Sequence, residues 1–131
     1  TFSLSSDDIS LNSLVKSFLP AMSVGCSVIS FTNQNAVLAL KLSEDINNSD
    51  FPSGSLNILT GNFENIVEDV GAHVEIRLAA IYSNISNDLL ETLDVKGSDS
   101  VKRIVNLPSD EGLGSIIPFV ETKTVWHPKG Q

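Results

Sequence analysis

The sequence predicts an α/β fold: a three-layer sandwich in which helices cover both faces of a parallel sheet, with an extended carboxyl-terminal β arm. Short β-rich or wholly apolar runs alternate with segments whose apolar residues recur at helical spacing. The connections between successive strands are long enough for a crossover helix, which makes neighbouring strands parallel. The alternation stops after Leu107, and the segment that follows ends in a run rich in β-branched residues.

The first predicted element is a helix over residues 11–22, where apolar side chains recur three and four positions apart. Ser6 is a suitable N-cap, and the acidic Asp7 and Asp8 that follow it suit a helix amino terminus. Pro20 is expected to kink or end this helix, because proline removes a backbone donor from the helix interior.

A strand, a helix, a strand and a helix follow in that order. Residues 26–31 form a short β-rich run, and Asn33 is a candidate cap for a helix over residues 36–46. Residues 56–60 predict the next strand, and residues 63–70 carry one apolar face and predict a helix.

The last third repeats this order and then changes character. Residues 78–82 are small and apolar, as is typical of a buried strand in a parallel sheet. A helix that begins near Ser86 and a strand over residues 102–107 complete the alternation. Residues 119–126 predict one extended strand that Pro128 ends. We therefore expect a domain over residues 1–107, followed by a linker and oligomerisation arm over residues 108–131.

Composition excludes several classes of function. The chain has 131 residues and a net charge of −8, which argues against binding to a nucleic-acid backbone. It has no apolar run near the roughly 20 residues that a membrane helix needs, and its first residues predict no secretory leader. The single Cys26 permits no internal disulfide, and one cysteine with two histidines is too few for a structural zinc site. These features predict a cytoplasmic protein without a metal centre.

Small and hydroxyl-bearing residues follow three of the predicted strands, over residues 31–33, 60–62 and 82–84. In open α/β sheets ligands bind outside the carboxyl ends of the strands, where helix amino termini offer unpaired amides. The same residue types are also common in ordinary strand-to-helix turns. Neither standard glycine-rich phosphate loop is present. A nucleotide site and a set of plain turns therefore both fit this pattern.

Three segments, in order, carry a resemblance to aldehyde dehydrogenases. Residues 51–61 (FPSGSLNILTG) resemble the family segment LPxGVxNxxTG, and residues 19–29 (LPAMSVGCSVI) resemble APALAAGNTVV at the matching spacing. Residues 121–128 (ETKTVWHP) are similar to the carboxyl-terminal strand of a bacterial subgroup of that superfamily.

This resemblance implies a Rossmann-type coenzyme-binding domain that holds NAD against the strand ends. The residues implied to contact the coenzyme lie at the ends of the three strands or in the turns that follow them. They are Ser30, Phe31, Thr32, Thr60, Gly61, Ser83 and Asn84.

Several positions depart from the family pattern. The lysine that binds the adenosine ribose falls on Phe31, and the glycine that permits close approach to the pyrophosphate falls on Ser83. The asparagine that steadies the oxyanion falls near Asp8, whose charge has the wrong sign for that role. Only Thr60 and Gly61 match on the adenine side. NAD binding is therefore expected to be weak.

The catalytic part of the family is missing from the pattern. The strand that should lead to the general-base glutamate runs instead into Asn106 and Leu107. Cys26 begins a strand beside Gly25 and does not match the family nucleophile, which lies in a separate catalytic domain. We predict no catalytic residues in this chain and no aldehyde dehydrogenase activity from it alone.

Two hypotheses from different classes remain open. The first is a degenerate aldehyde dehydrogenase-like domain that acts as a structural or interaction module. The second is a module that still binds NAD or another adenine nucleotide and serves an oxidoreductase assembled from separate chains. A third reading is that the chain is a fragment of a longer enzyme. We expect a homodimer, formed through the arm from Thr122 to His127.

Overall fold

The computed structural model describes residues 1–5, 10–34, 36–107 and 112–127. These residues form five parallel strands, and the predicted α/β architecture is confirmed. The strands are β1 (Phe2–Leu4), β2 (Val28–Thr32), β3 (Leu56–Thr60), β4 (Leu78–Ile81) and β5 (Arg103–Asn106). Their order in the sheet is β3-β2-β1-β4-β5. The order reverses between β1 and β4, which is the switch point beside which such sheets bind ligands.

Four α-helices cover the two faces of the sheet. They are α1 (Leu11–Ser23), α2 (Ala36–Asn47), α3 (Val67–Ala72) and α4 (Asn87–Gly97). Helices α1 and α2 share a core with Leu78 and Ala80 of β4, whereas α3 and α4 share a core with Ala79 and Ile81. Alternate residues of β4 thus face opposite layers, as a strand buried on both faces requires.

The start of α1 differs from the prediction. Ser10 is the N-cap, and its side chain accepts a hydrogen bond from the backbone N–H of Ser13 at 3.1 Å. The predicted cap Ser6 lies outside the described residues, as do Asp7 and Asp8. The helix continues through Pro20 and ends three residues later, at Ser23.

The central strand β1 is absent from the sequence prediction. Phe2–Leu4 pairs with β2 on one side and with β4 on the other, so Leu4 lies between Phe31 and Ile81. Three residues are too short to show a strand period. Their conformation comes from hydrogen bonds to two distant segments.

The segment predicted as an extended arm begins with a turn and not with a strand. Ile117–Phe119 forms a 3-10 turn, and no strand is assigned within residues 112–127. The Phe119 side chain packs between α1 and the sheet, in contact with the core that includes Phe18 and Val28. The predicted β arm is therefore wrong at Phe119. Its remaining described residues have no strand partner within the described chain.

No helix in the described part of the chain is long and apolar enough to cross a membrane. Among the same residues, no three His, Cys, Asp or Glu side chains are grouped as metal ligands would be.

Candidate site at the carboxyl edge of the sheet

The strand ends that the sequence predicts as a binding edge do lie together. Because the strands are parallel, β2, β3 and β4 all end at the same edge of the sheet. Thr32 and Thr60 are directly in register, and the Gly61 N–H donates to the Thr32 carbonyl oxygen at 3.2 Å.

Four of the seven predicted coenzyme contacts are buried within the protein. Ser30 and Thr32 face the α1 side of the sheet, and the Ser30 hydroxyl lies 3.3 Å from that of Ser17. Phe31 faces the opposite core, and Ser83 is 5% exposed. In this conformation, protein atoms surround most of these four side chains.

The other three predicted contacts are accessible. Thr60, Gly61 and Asn84 are exposed at the carboxyl edge. Ser83 and Asn84 line a small cavity of about 200 Å³ there, which lies against the 3-10 turn Phe63–Asn65 and the start of α4. Their role as coenzyme contacts remains a prediction.

Other polar side chains, outside the set of predicted coenzyme contacts, also line this cavity. Asn33, predicted as the cap of α2, instead uses its carboxamide oxygen to accept from the Phe63 N–H at 3.1 Å. Asn62 accepts from the Glu64 N–H at 3.1 Å and donates to the Glu64 carboxylate at 3.3 Å. Ser86 caps α4 by accepting from Leu89 N–H. In the sequence, the only sign that these residues could line a site is their position beside predicted helix starts. Ordinary helix caps occupy the same position.

The Phe31 ring fills the space beneath the turn at Gly61. Its ring centroid lies 6.3 Å from that of Phe2 and 6.2 Å from that of Phe63, and Phe2 and Phe63 stack at 5.9 Å. A Cβ placed on Gly61 would lie 3.5 Å from the Phe31 ring. An aromatic cluster of Phe2, Phe31 and Phe63 therefore supports this edge from below.

Tyr82, which follows β4, has a buried hydroxyl with no hydrogen-bond partner among the described residues. Burial raises the pKa of Tyr82 to about 12, because the phenolate loses more hydration than the neutral phenol. A buried hydroxyl without a partner lowers stability by about 1–3 kcal/mol.

We therefore expect Tyr82→Phe to raise the free energy of unfolding by about 1 kcal/mol. Folding raises the pKa of Tyr82, so its ionisation does not affect the free energy of unfolding below the unfolded-state pKa of 10.0. As the pH rises from there toward 12, the parent chain loses stability, because the unfolded state releases the proton first. Urea unfolding at pH 8 and pH 11 should show a smaller loss of stability for the variant than for the parent chain. A variant less stable than the parent at pH 8 would show that the hydroxyl has a partner.

Comparison with solved structures gives the same fold. A double mutant of betaine aldehyde dehydrogenase from Staphylococcus aureus, in complex with NAD⁺, matches 73% of this chain with a TM-score of 0.62 and 18% identity. A second match is a protein from Sinorhizobium meliloti 1021, described as a methylmalonate-semialdehyde dehydrogenase and complexed with NAD. It matches 82% of this chain with a TM-score of 0.61 and 16% identity. The matches cover only 19% and 22% of those two proteins. No family model and no curated protein matches the chain.

Proposed function

We propose that this chain is a degenerate coenzyme-binding domain of the aldehyde dehydrogenase type that acts as a structural or interaction module. The fold shared with the two NAD-complexed dehydrogenases supports the type of domain. The same proposal places the domain at residues 1–107 and a linker and arm at residues 108–131.

The observation that carries this proposal is the position of Phe31. The resemblance implies a lysine here, whose ammonium would reach the ribose hydroxyls of NAD. Phe31 offers no hydrogen-bond donor, and its ring is 3% exposed within the aromatic cluster. Losing one charge-assisted hydrogen bond removes about 1.5–3 kcal/mol, or one to two decades of affinity.

The polar groups around the small cavity also suit a pyrophosphate poorly. Asn62 and Ser86 already accept from backbone N–H groups at the two helical starts beside the cavity, and those donors are then less available to a ligand. The Glu64 carboxylate lines the same cavity and would repel a pyrophosphate. Each feature lowers the affinity expected for NAD.

The alternative is a module that binds NAD or another adenine nucleotide for an oxidoreductase made of separate chains. The exposure of Thr60, Gly61 and Asn84 at one edge favours it, since these are the accessible members of the predicted contact set. Nucleotide binding would then use the adenine half of the coenzyme, with little contribution from the pyrophosphate.

Calorimetric titration of the full chain with NAD, ADP-ribose and ATP distinguishes the two functions. We expect no binding with a Kd below about 1 mM for any of the three. Glu64→Gln removes the repelling carboxylate, and Glu44→Gln on α2 is the matched control because it makes the same charge change away from this cavity.

Binding of NAD and ADP-ribose by the parent chain at micromolar Kd would contradict the proposal. If Glu64→Gln then tightened that binding while Glu44→Gln left it unchanged, the cavity at the carboxyl edge would be the nucleotide site.

A further inference from the structure

A second, larger cavity opens at the opposite edge of the sheet, where the strands begin. Its volume is about 550 Å³, within the range of small-molecule sites. Arg77 lies just before β4 and Arg103 begins β5, and Glu121 and Lys123 reach the cavity from the carboxyl-terminal segment. Glu75 also lines the cavity.

The distribution of positive charge makes this cavity unusual for the chain. Only eight residues of the sequence are Lys or Arg against sixteen Asp or Glu. The cavity collects both arginines of the sequence together with Lys123. The Arg103 backbone N–H donates to the Arg77 carbonyl oxygen at 3.0 Å, so both arginines stand at the edge of the sheet where β4 and β5 begin.

Within the described residues, the basic side chains that line this cavity have few ion-pair or hydrogen-bond partners. Arg103 contacts the Glu121 carboxylate at 3.8 Å, with both side chains about half exposed, and an ion pair of this kind adds little stability. Within the described ranges, neither Arg77 nor Lys123 has an ion-pair or hydrogen-bond partner for its side chain. The donors of Arg77 and Lys123 are thus available to a ligand, and Arg103 is held only by a weak competitor.

We infer that this cavity binds a small phosphate monoester. A guanidinium presents two parallel N–H donors that match two phosphate oxygens, and Lys123 supplies a third positive charge for the dianion. Glu75 and Glu121 would oppose an extended polyanion, which restricts the ligand to one compact phosphate group. The Glu121 carboxylate competes with the ligand for the guanidinium of Arg103.

Titration of the full chain with inorganic phosphate at constant ionic strength tests this inference. We expect saturable binding with a Kd of about 1 mM. Arg77→Gln and Arg103→Gln should each weaken binding about tenfold, since each removes one bidentate contact. Lys41→Gln on α2, which makes the same charge change away from the cavity, should have no effect.

Glu121→Gln gives a result of opposite sign. It frees Arg103 from its competitor and should tighten phosphate binding about threefold, whereas Glu91→Gln on α4 should leave it unchanged. Absence of saturable binding in the parent chain would overturn the inference. It would also be overturned if Glu91→Gln and Glu121→Gln tightened binding equally, because net charge alone would then explain the change.

Discussion

Phe31→Ala is expected to lower the free energy of unfolding by about 3–5 kcal/mol. The ring is 3% exposed and contacts both other members of the aromatic cluster, so its removal leaves a cavity between β1, β2 and the turn Phe63–Asn65. Part of the loss is the hydrophobic transfer of the ring and part is the unfilled volume. Denaturant unfolding followed by circular dichroism measures the change.

Leu59→Ala is the matched control. Leu59 lies on β3 directly in register with Phe31, but its side chain is 48% exposed. Its truncation should cost about 1 kcal/mol or less, because much of the side chain is already hydrated. A cost for Phe31→Ala no greater than that for Leu59→Ala would show that the ring does not belong to the core.

The same position predicts that one substitution would not create a coenzyme site at Phe31. Phe31→Lys would place an ammonium among Phe2, Phe63 and the Gly61 backbone, where its charge has no partner and little water. We expect it to destabilise the domain at least as much as Phe31→Ala. A working lysine would require smaller neighbours as well, so the aromatic cluster and a ribose-binding lysine exclude each other.

The elements predicted well are those whose signal is local. Residues 56–60 were predicted as a strand and form β3, and the apolar period of α1 and α2 marks both helices near their observed ends. Strand β1 has no such local signal, because its three residues derive their conformation from partners in β2 and β4. Such pairing leaves no pattern within the segment itself.

The candidate site shows the same division. Their position at strand ends indicates that the predicted residues lie near one edge of the sheet, but it does not reveal which side chains the neighbouring layers cover. Thr32 and Thr60 are in register across β2 and β3, yet Thr32 is buried beneath the α1 layer and Thr60 is exposed at the sheet border. The difference depends on the neighbouring layers, which a single sequence does not specify.

Removing the residues after Glu121 is expected to halve the mass of the particle in solution. We propose that the full chain is a dimer through the arm from Thr122 to His127, whose residues alternate in polarity. Trp126 is 90% exposed and Val125 is 67% exposed in the single chain. Backbone groups of such a segment gain partners when it pairs with a second extended strand.

The point of truncation decides whether this experiment is interpretable. A chain that ends at Pro118 would also lose Phe119, which is only 6% exposed and fills the core between α1 and the sheet. Ending at Glu121 keeps both Phe119 and the contact between Glu121 and Arg103. Light scattering of that variant then reports on the arm, whereas the shorter one would report on folding.

The direction of the side chains favours a symmetric pair of arms over an arm folded back on its own sheet. Lys123 lines the cavity at the amino-terminal edge, so the alternate residues Thr122, Thr124 and Trp126 are expected to face away from the domain. A twofold-related arm would cover this outer face and bury both Trp126 side chains in one contact. Trp126→Ala should therefore also yield a monomer, whereas Val101→Ala, at an apolar residue 87% exposed elsewhere, should remain dimeric. Equal masses for the full and truncated chains would show that the arm does not join two copies.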